Sequence, residues 1–82
     1  MDITSTLQDR FHEGTAAFRN EDFDASVAAF SEVLESDPEF SLAYASRGSA
    51  YLKQHKLTLA IEDFDKFIRL KPKDAKALVE AT

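Results

Sequence analysis

Few residues in this chain could carry chemistry, and their spacing works against it. The two histidines, His12 and His55, lie 43 residues apart, and a metal centre needs several ligands converging on one point. Each therefore reads as a lone surface or turn histidine. There is no cysteine, which removes thiolate zinc sites, cysteine nucleophiles and disulfides, and fits a protein of the reducing cytoplasm. Asp22-Phe23-Asp24 starts like a calcium loop. Val27 stands where such a loop requires glycine, however, and Val33 where it requires a bidentate acid. Asp63-Phe64-Asp65 reads as a solvated helix face, because Glu62 to Lys66 and Asp65 to Arg69 are i,i+4 pairs of favourable orientation, worth about 0.2–0.5 kcal/mol each. The sequence holds no Gly-rich phosphate loop, no nucleophile elbow and no His-Glu-x-x-His. The expectation is a protein that is not an enzyme and takes no cofactor or metal.

The elements that must position any site belong to one small domain, since 82 residues leave no room for a second core. Hydrophobic residues make up 44% of the chain and charged residues 30%, which is too apolar for a disordered segment. The net charge of -5 argues against nucleic acid as a partner. No stretch approaches the roughly 18 apolar residues of a membrane span, and the N-terminus lacks a basic segment followed by an apolar run. A membrane is therefore not expected as a partner either. The charge is divided unevenly: residues 1–40 hold two basic and ten acidic residues, and residues 41–82 hold eight basic and five acidic.

A repeat organises the chain. The glycines are Gly14 and Gly48, the prolines Pro38 and Pro72, and both pairs are 34 residues apart. Ala16 and Ala50 share that offset, as do Phe30 and Phe64, with Arg19 answering to Lys53, Thr15 to Ser49 and Val27 to Ile61. Glycine and proline are the residues whose positions backbone geometry dictates, so their obedience to one period carries more weight than the other matches. Apolar residues recur with helical spacing at Leu7, Phe11, Gly14 and Phe18, at Phe23, Val27, Phe30 and Leu34, and at Leu57, Ile61, Phe64 and Ile68. A further helix is implied between Leu42 and Leu52. Breaks are expected near 20–22, 36–40 and 54–56, with Asp22, Ser41 and Asp74 as N-caps. Lys71-Pro72 ends the fourth helix, and residues 74–81 begin a short fifth one. A mid-helix glycine costs about 1 kcal/mol relative to alanine, so Gly14 and Gly48 should mark close helix approaches, with Ala60 and Phe64 as the visitors at Gly48.

A helix-turn-helix unit of 34 residues with a mid-helix glycine, an aromatic in the second helix and a closing proline resembles the tetratricopeptide repeat. Tyr44, Gly48, Tyr51, Ala60, Phe64 and Pro72 stand at the family's positions in residues 41–74. Residues 7–40 form a looser copy that keeps Gly14, Phe30 and Pro38, with Ala17 and Ser26 in place of Tyr51 and Ala60. The resemblance implies an all-α fold, an α-α superhelix of two helix-turn-helix repeats, with residues 75–82 as a partial third repeat or short capping helix, all in a single module over residues 1–82.

The resemblance also implies function. In such proteins the first helix of each repeat lines a concave groove that holds a peptide or a partner helix. Carried onto this sequence, that lining comprises Gln8, Phe11, Thr15, Phe18 and Arg19 from the first repeat, then Leu42, Ala45, Ser49, Leu52 and Lys53 from the second, with Lys76 beyond. It combines an apolar floor with two hydroxyls and a basic rim of Arg19, Lys53 and Lys76, which suits a protein or peptide partner with apolar anchors and an acidic flank. One branch of the family holds the acidic tails of heat-shock chaperones in a clamp of Lys and Asn residues with an Arg. Here Phe11, Thr15, Ser46, Lys76 and Glu80 stand at those places, and of these Lys76 alone agrees; Glu80 would repel a carboxylate.

A rival reading is self-assembly. Phe64, Phe67, Ile68 and Leu70 form an apolar surface with Ala75, Leu78 and Val79 as its cover within the chain, and repeat arrays bury such faces against neighbours. A homo-oligomer, either a dimer or a head-to-tail chain drawn together by the unlike charges of the two halves, is the alternative to an adaptor.

Overall fold

A computed structural model describes the backbone of residues 3–70 and the side chains from residue 6 onward. The elements there are four helices: α1 (Ile3–Arg19), α2 (Phe23–Ser36), α3 (Ser41–Lys53) and α4 (Leu57–Leu70). Consecutive helices pack as α1 on α2, α2 on α3 and α3 on α4, while α1 touches α3 only lightly. The result is two stacked helical hairpins with an open face between α1 and α3. The expected fifth helix, its cap Asp74 and the cover residues Ala75, Leu78 and Val79 lie outside the described residues.

Local chemistry explains the breaks. At the end of α1, Asp22 N–H donates to Ala17 C=O at 2.8 Å and Glu21 N–H to Phe18 C=O at 3.0 Å, the crossed pair of bonds that closes a helix through one left-handed residue. That residue is Glu21, with φ 61°. Thirty-four residues on, Lys56 N–H donates to Tyr51 C=O at 2.9 Å and His55 N–H to Leu52 C=O at 3.0 Å, and His55 has φ 62°. Asp22 then caps α2, its Oδ1 accepting the Ala25 N–H at 3.3 Å. The α2–α3 turn is held by Asp37 Oδ1, which accepts from Glu39 N–H at 3.1 Å, and by the Tyr44 hydroxyl, which donates to Pro38 C=O at 2.9 Å. Ser41 is not a cap. The N-cap of α3 is Phe40, which offers no side-chain bond, because the Asp37–Tyr44 brackets already fix the chain's entry and Phe40 is drawn into the core.

The glycines sit where the helices come closest. A Cβ on Gly14 would stand 2.7 Å from the Phe30 ring, and one on Gly48 would stand 3.0 Å from the Phe64 ring. Phe64 is thus the visitor expected at Gly48; Ala60, the other, is fully buried but lies farther away than the ring. The close approach at Gly14 has a polar use as well. Ser26, buried at the place of Ala60 in the first hairpin, donates its hydroxyl to Gly14 C=O at 3.0 Å, which satisfies a group that would be expensive to bury alone. The core runs from Phe30, Val33 and Leu34 on α2 to Ala43 and Ala50 on α3. Leu7, Phe11, Phe40 and Tyr44 pack around it.

On α4 the sequence pattern misleads in two places. Leu57, Ile61 and Ile68 are 58%, 66% and 66% exposed, so of that stripe Phe64 alone turns toward α3. Asp63, expected in solvent, is buried. It accepts two hydrogen bonds from Arg47 on α3, from Nε and from Nη2, each at 2.8 Å.

Candidate functional site

The open face between α1 and α3 holds a cleft of about 270 Å³ lined by Thr15, Phe18, Arg19, Phe30, Ser46 and Ser49. Its floor is aromatic. Phe30 is almost wholly buried, and Phe18 is held by an edge contact with Phe23, ring centroids 5.4 Å apart. The walls are polar and repeat with the 34-residue period. Thr15 Oγ1 donates to Phe11 C=O at 3.2 Å, and Ser49 Oγ donates to Ala45 C=O at 3.1 Å. One turn farther along each helix comes a cation, Arg19 at the end of α1 and Lys53 at the end of α3. Both positions complement the negative end of a helix dipole. Arg19 makes no ion pair within the described residues, so its guanidinium remains available at the edge of the cleft.

Of the residues expected in the groove, the structure brings Thr15, Phe18, Arg19 and Ser49 together. Leu42, Leu52 and Lys53 are exposed on α3 but lie outside the cleft lining, and Ala45 is half-buried there. Phe11 is placed elsewhere: its ring centroid lies 5.3 Å from those of Phe30 and Phe40, which makes it a wall of the core. The aromatic density of the first hairpin accounts for this, since Phe30 and Phe40 offer it two ring faces. Lys76 and Glu80 are outside the described residues. Two lining residues were not carried into the expected groove lining. Ser46, named only as standing at one of the clamp places, precedes Ser49 by one helical turn and so shares its face. Phe30 was legible as the repeat's aromatic in the second helix and not as a groove position, because its place at the base of the cleft depends on the close approach of its ring to Gly14.

A second polar cluster lies on the far side of α3. Besides holding Asp63, Arg47 donates from Nη1 to Ser31 Oγ at 3.1 Å, and its guanidinium sits 5.9 Å from the Tyr44 ring centroid and 5.7 Å from that of Tyr51. The Arg47 pKa is raised above the ordinary arginine value, first by the hydrogen bonds to Asp63, against the opposing effect of burial. Three of its five N–H donors are thus spent within the fold, two of them on a buried carboxylate. This cluster is structural.

A pair of stacked helical hairpins with small residues at the crossings and an open face on the first helix of each defines a helical-repeat binding scaffold. The match to known proteins makes this specific: residues 11–75 fit the tetratricopeptide repeat, and the chain belongs to that family. It is 32% identical over 71 residues to a "Protein STIP1 homolog" of Dictyostelium discoideum, covering 87% of this chain and 13% of that protein. It is 31% identical over 74 residues to a "Protein SGT1 homolog" of Oryza sativa subsp. japonica, covering 90% of this chain and 20% of that protein. The chain thus spans a fifth or less of the length of these relatives. Within the described residues, no helix is long and apolar enough to cross a membrane.

Proposed function

We propose that this module is a non-catalytic binding unit whose α1–α3 cleft takes a peptide bearing an apolar anchor and an acidic flank. One observation carries the reading: an aromatic-floored cleft of about 270 Å³ that ends at an arginine with no ion pair among the described residues. The volume suits one side chain, Phe18 supplies apolar area above the buried Phe30 ring, and Arg19 with Lys53 attracts a carboxylate at the rim. Membership in a repeat family of protein-binding scaffolds supports the same general role. Selection of random displayed peptides on the immobilised chain tests it. Retained peptides should pair an apolar residue with Asp or Glu, and Arg19→Glu with Lys53→Glu should release them at unchanged helix content. Equal retention by that double variant ends the proposal.

A second reading, self-association, is favoured by the exposed stripe on α4. Ile68 is 66% exposed, whereas Leu34, its counterpart under α3, is 8% exposed. Head-to-tail stacking suits this stripe poorly, because α1 carries Asp9, Arg10 and Glu13 where α3 carries Ala43, Tyr44 and Arg47. A back-to-back pairing of α4 with α4 of a second copy matches apolar surface to apolar surface. Sedimentation across a wide concentration range decides it: a monomer throughout eliminates this reading and leaves the cleft proposal intact.

A further inference from the structure

The hydroxyls of the cleft have a direction. A hydroxyl carries one hydrogen to donate and two lone pairs that accept. Thr15 and Ser49 both direct that hydrogen into their own helices, to the carbonyls of Phe11 and Ala45. The same arrangement occurs at equivalent places on α1 and α3, 34 residues apart, so the two walls of the cleft agree. What remains for a ligand at both positions is oxygen lone pairs. A carboxylate brought against them would face acceptors with acceptors and lose its water without replacement, whereas an N–H donor would be satisfied. Arg19 lies one helical turn, about 5.4 Å, beyond Thr15 on the same face of α1 and is donor-only. The cleft is therefore graded along its length from acceptors to a cation.

We infer that the cleft reads an amide followed by an acid: N–H groups of the ligand meet Thr15 and Ser49, a carboxylate is seated at the Arg19 end, and Ser46, whose hydroxyl makes no hydrogen bond among the described residues, can turn to serve either group. This rests on the cleft being the binding site and assigns its polar code. The matching occupant is a chain segment crossing the cleft with main-chain or Asn/Gln N–H donors over the two hydroxyls, an apolar side chain against Phe18, and an acidic side chain at Arg19. A segment ending in a free carboxylate at the Thr15–Ser49 pair is disfavoured.

Two ring-bearing probes of equal size separate these possibilities. Benzamide presents an N–H donor and benzoate a carboxylate, and each can be titrated into the full 15N-labelled chain while amide resonances are followed. Benzamide should perturb resonances around Thr15, Phe18 and Ser49, and its dissociation constant should rise about fivefold when Thr15→Val and Ser49→Ala are combined. Thr15→Ser, which keeps the oxygen, should retain wild-type affinity. Benzoate should be insensitive to the loss of the hydroxyls and should weaken with Arg19→Gln. Unchanged dispersion of the amide spectrum identifies folded variants. Equal benzamide affinity in wild type and the hydroxyl-free variant overturns the polar code while leaving the cleft as a binding site. If neither probe perturbs the cleft, both ideas fall together.

Discussion

At the scale of single residues, Gly14 and Gly48 show how one repeat position acquires different tolerances. Alanine at either site gains up to about 1 kcal/mol of helix propensity, so the outcome depends on what the new methyl meets. At Gly14 it meets the Phe30 ring at 2.7 Å. That ring is 1% exposed and packed against Phe11, and a contact this short forces a well-packed ring to shift, so overpacking of about 1–3 kcal/mol outweighs the propensity gain. At Gly48 the contact is 3.0–3.2 Å, and Phe64 is half-buried at the edge of the stack, free to yield by a few tenths of an ångström. Gly14→Ala should therefore lose about 1 kcal/mol in urea unfolding and Gly48→Ala stay near neutral, whereas Gly48→Val, bulkier and β-branched, should destabilise. Equal losses for the two alanine variants would contradict the difference in ring freedom. The existence of both close approaches was legible in the sequence, because a helix tolerates glycine only where something gains from the missing methyl. Their difference was not, since it depends on what lies behind each ring.

At the scale of elements, the helix ends were legible where backbone chemistry forces them and illegible where packing substitutes for it. Asp22 was readable as a cap from its residue type. Ser41 carried the same signal and is not the cap, because Asp37 and Tyr44 fix the turn before it. The left-handed residues were not legible: Glu21 is not a type that announces that conformation, and His55, although of a type enriched there, is a far weaker signal than glycine. Both are strained by it, at about 1 kcal/mol each, and both are exposed, so replacement loses no buried contact. Glu21→Gly and His55→Gly should each raise stability by about 0.5–1 kcal/mol, read as a higher urea midpoint at unchanged slope. A loss of stability at either position would show that the turn uses the side chain in a way its exposure does not suggest.

At the scale of the whole molecule, the two hairpins are joined by the α2–α3 interface, which Gln54 at the end of α3 crosses by donating to Asp24 on α2, and Arg47 is the charged side chain that reaches across it. From α3 it binds Ser31 on α2 and Asp63 on α4, linking three helices through one guanidinium. Sequence reading missed this because Asp63 sits in a charged stretch resembling a solvated face, and its partner lies sixteen residues away on another helix. The neighbouring Asp65–Arg69 pair, four residues apart, was readable and is formed at 2.8 Å. The two pairs differ in weight. Asp65 and Arg69 are exposed, where such a bond contributes a few tenths of a kcal/mol at most, whereas the side chains of Arg47 and Asp63 are 20% and 7% exposed. Removing one member strands the other's charge, so Arg47→Ala or Asp63→Ala should each lose about 2–3 kcal/mol, toward the lower end for a buried pair because Arg47 keeps some solvent. Replacing both by apolar residues of similar size, Arg47→Met with Asp63→Leu, strands no charge and leaves Ser31 half-exposed to water, so it should recover most of the loss. Urea unfolding of the two singles and the double distinguishes a tie whose removal matters through stranded charge from one that supplies net attraction: in the second case the double variant is as unstable as the singles. If instead each single variant unfolds within about 0.5 kcal/mol of wild type, Arg47 does not hold the hairpins together, and their alignment, and with it the α1–α3 cleft, rests on the apolar core and the Gln54–Asp24 contact.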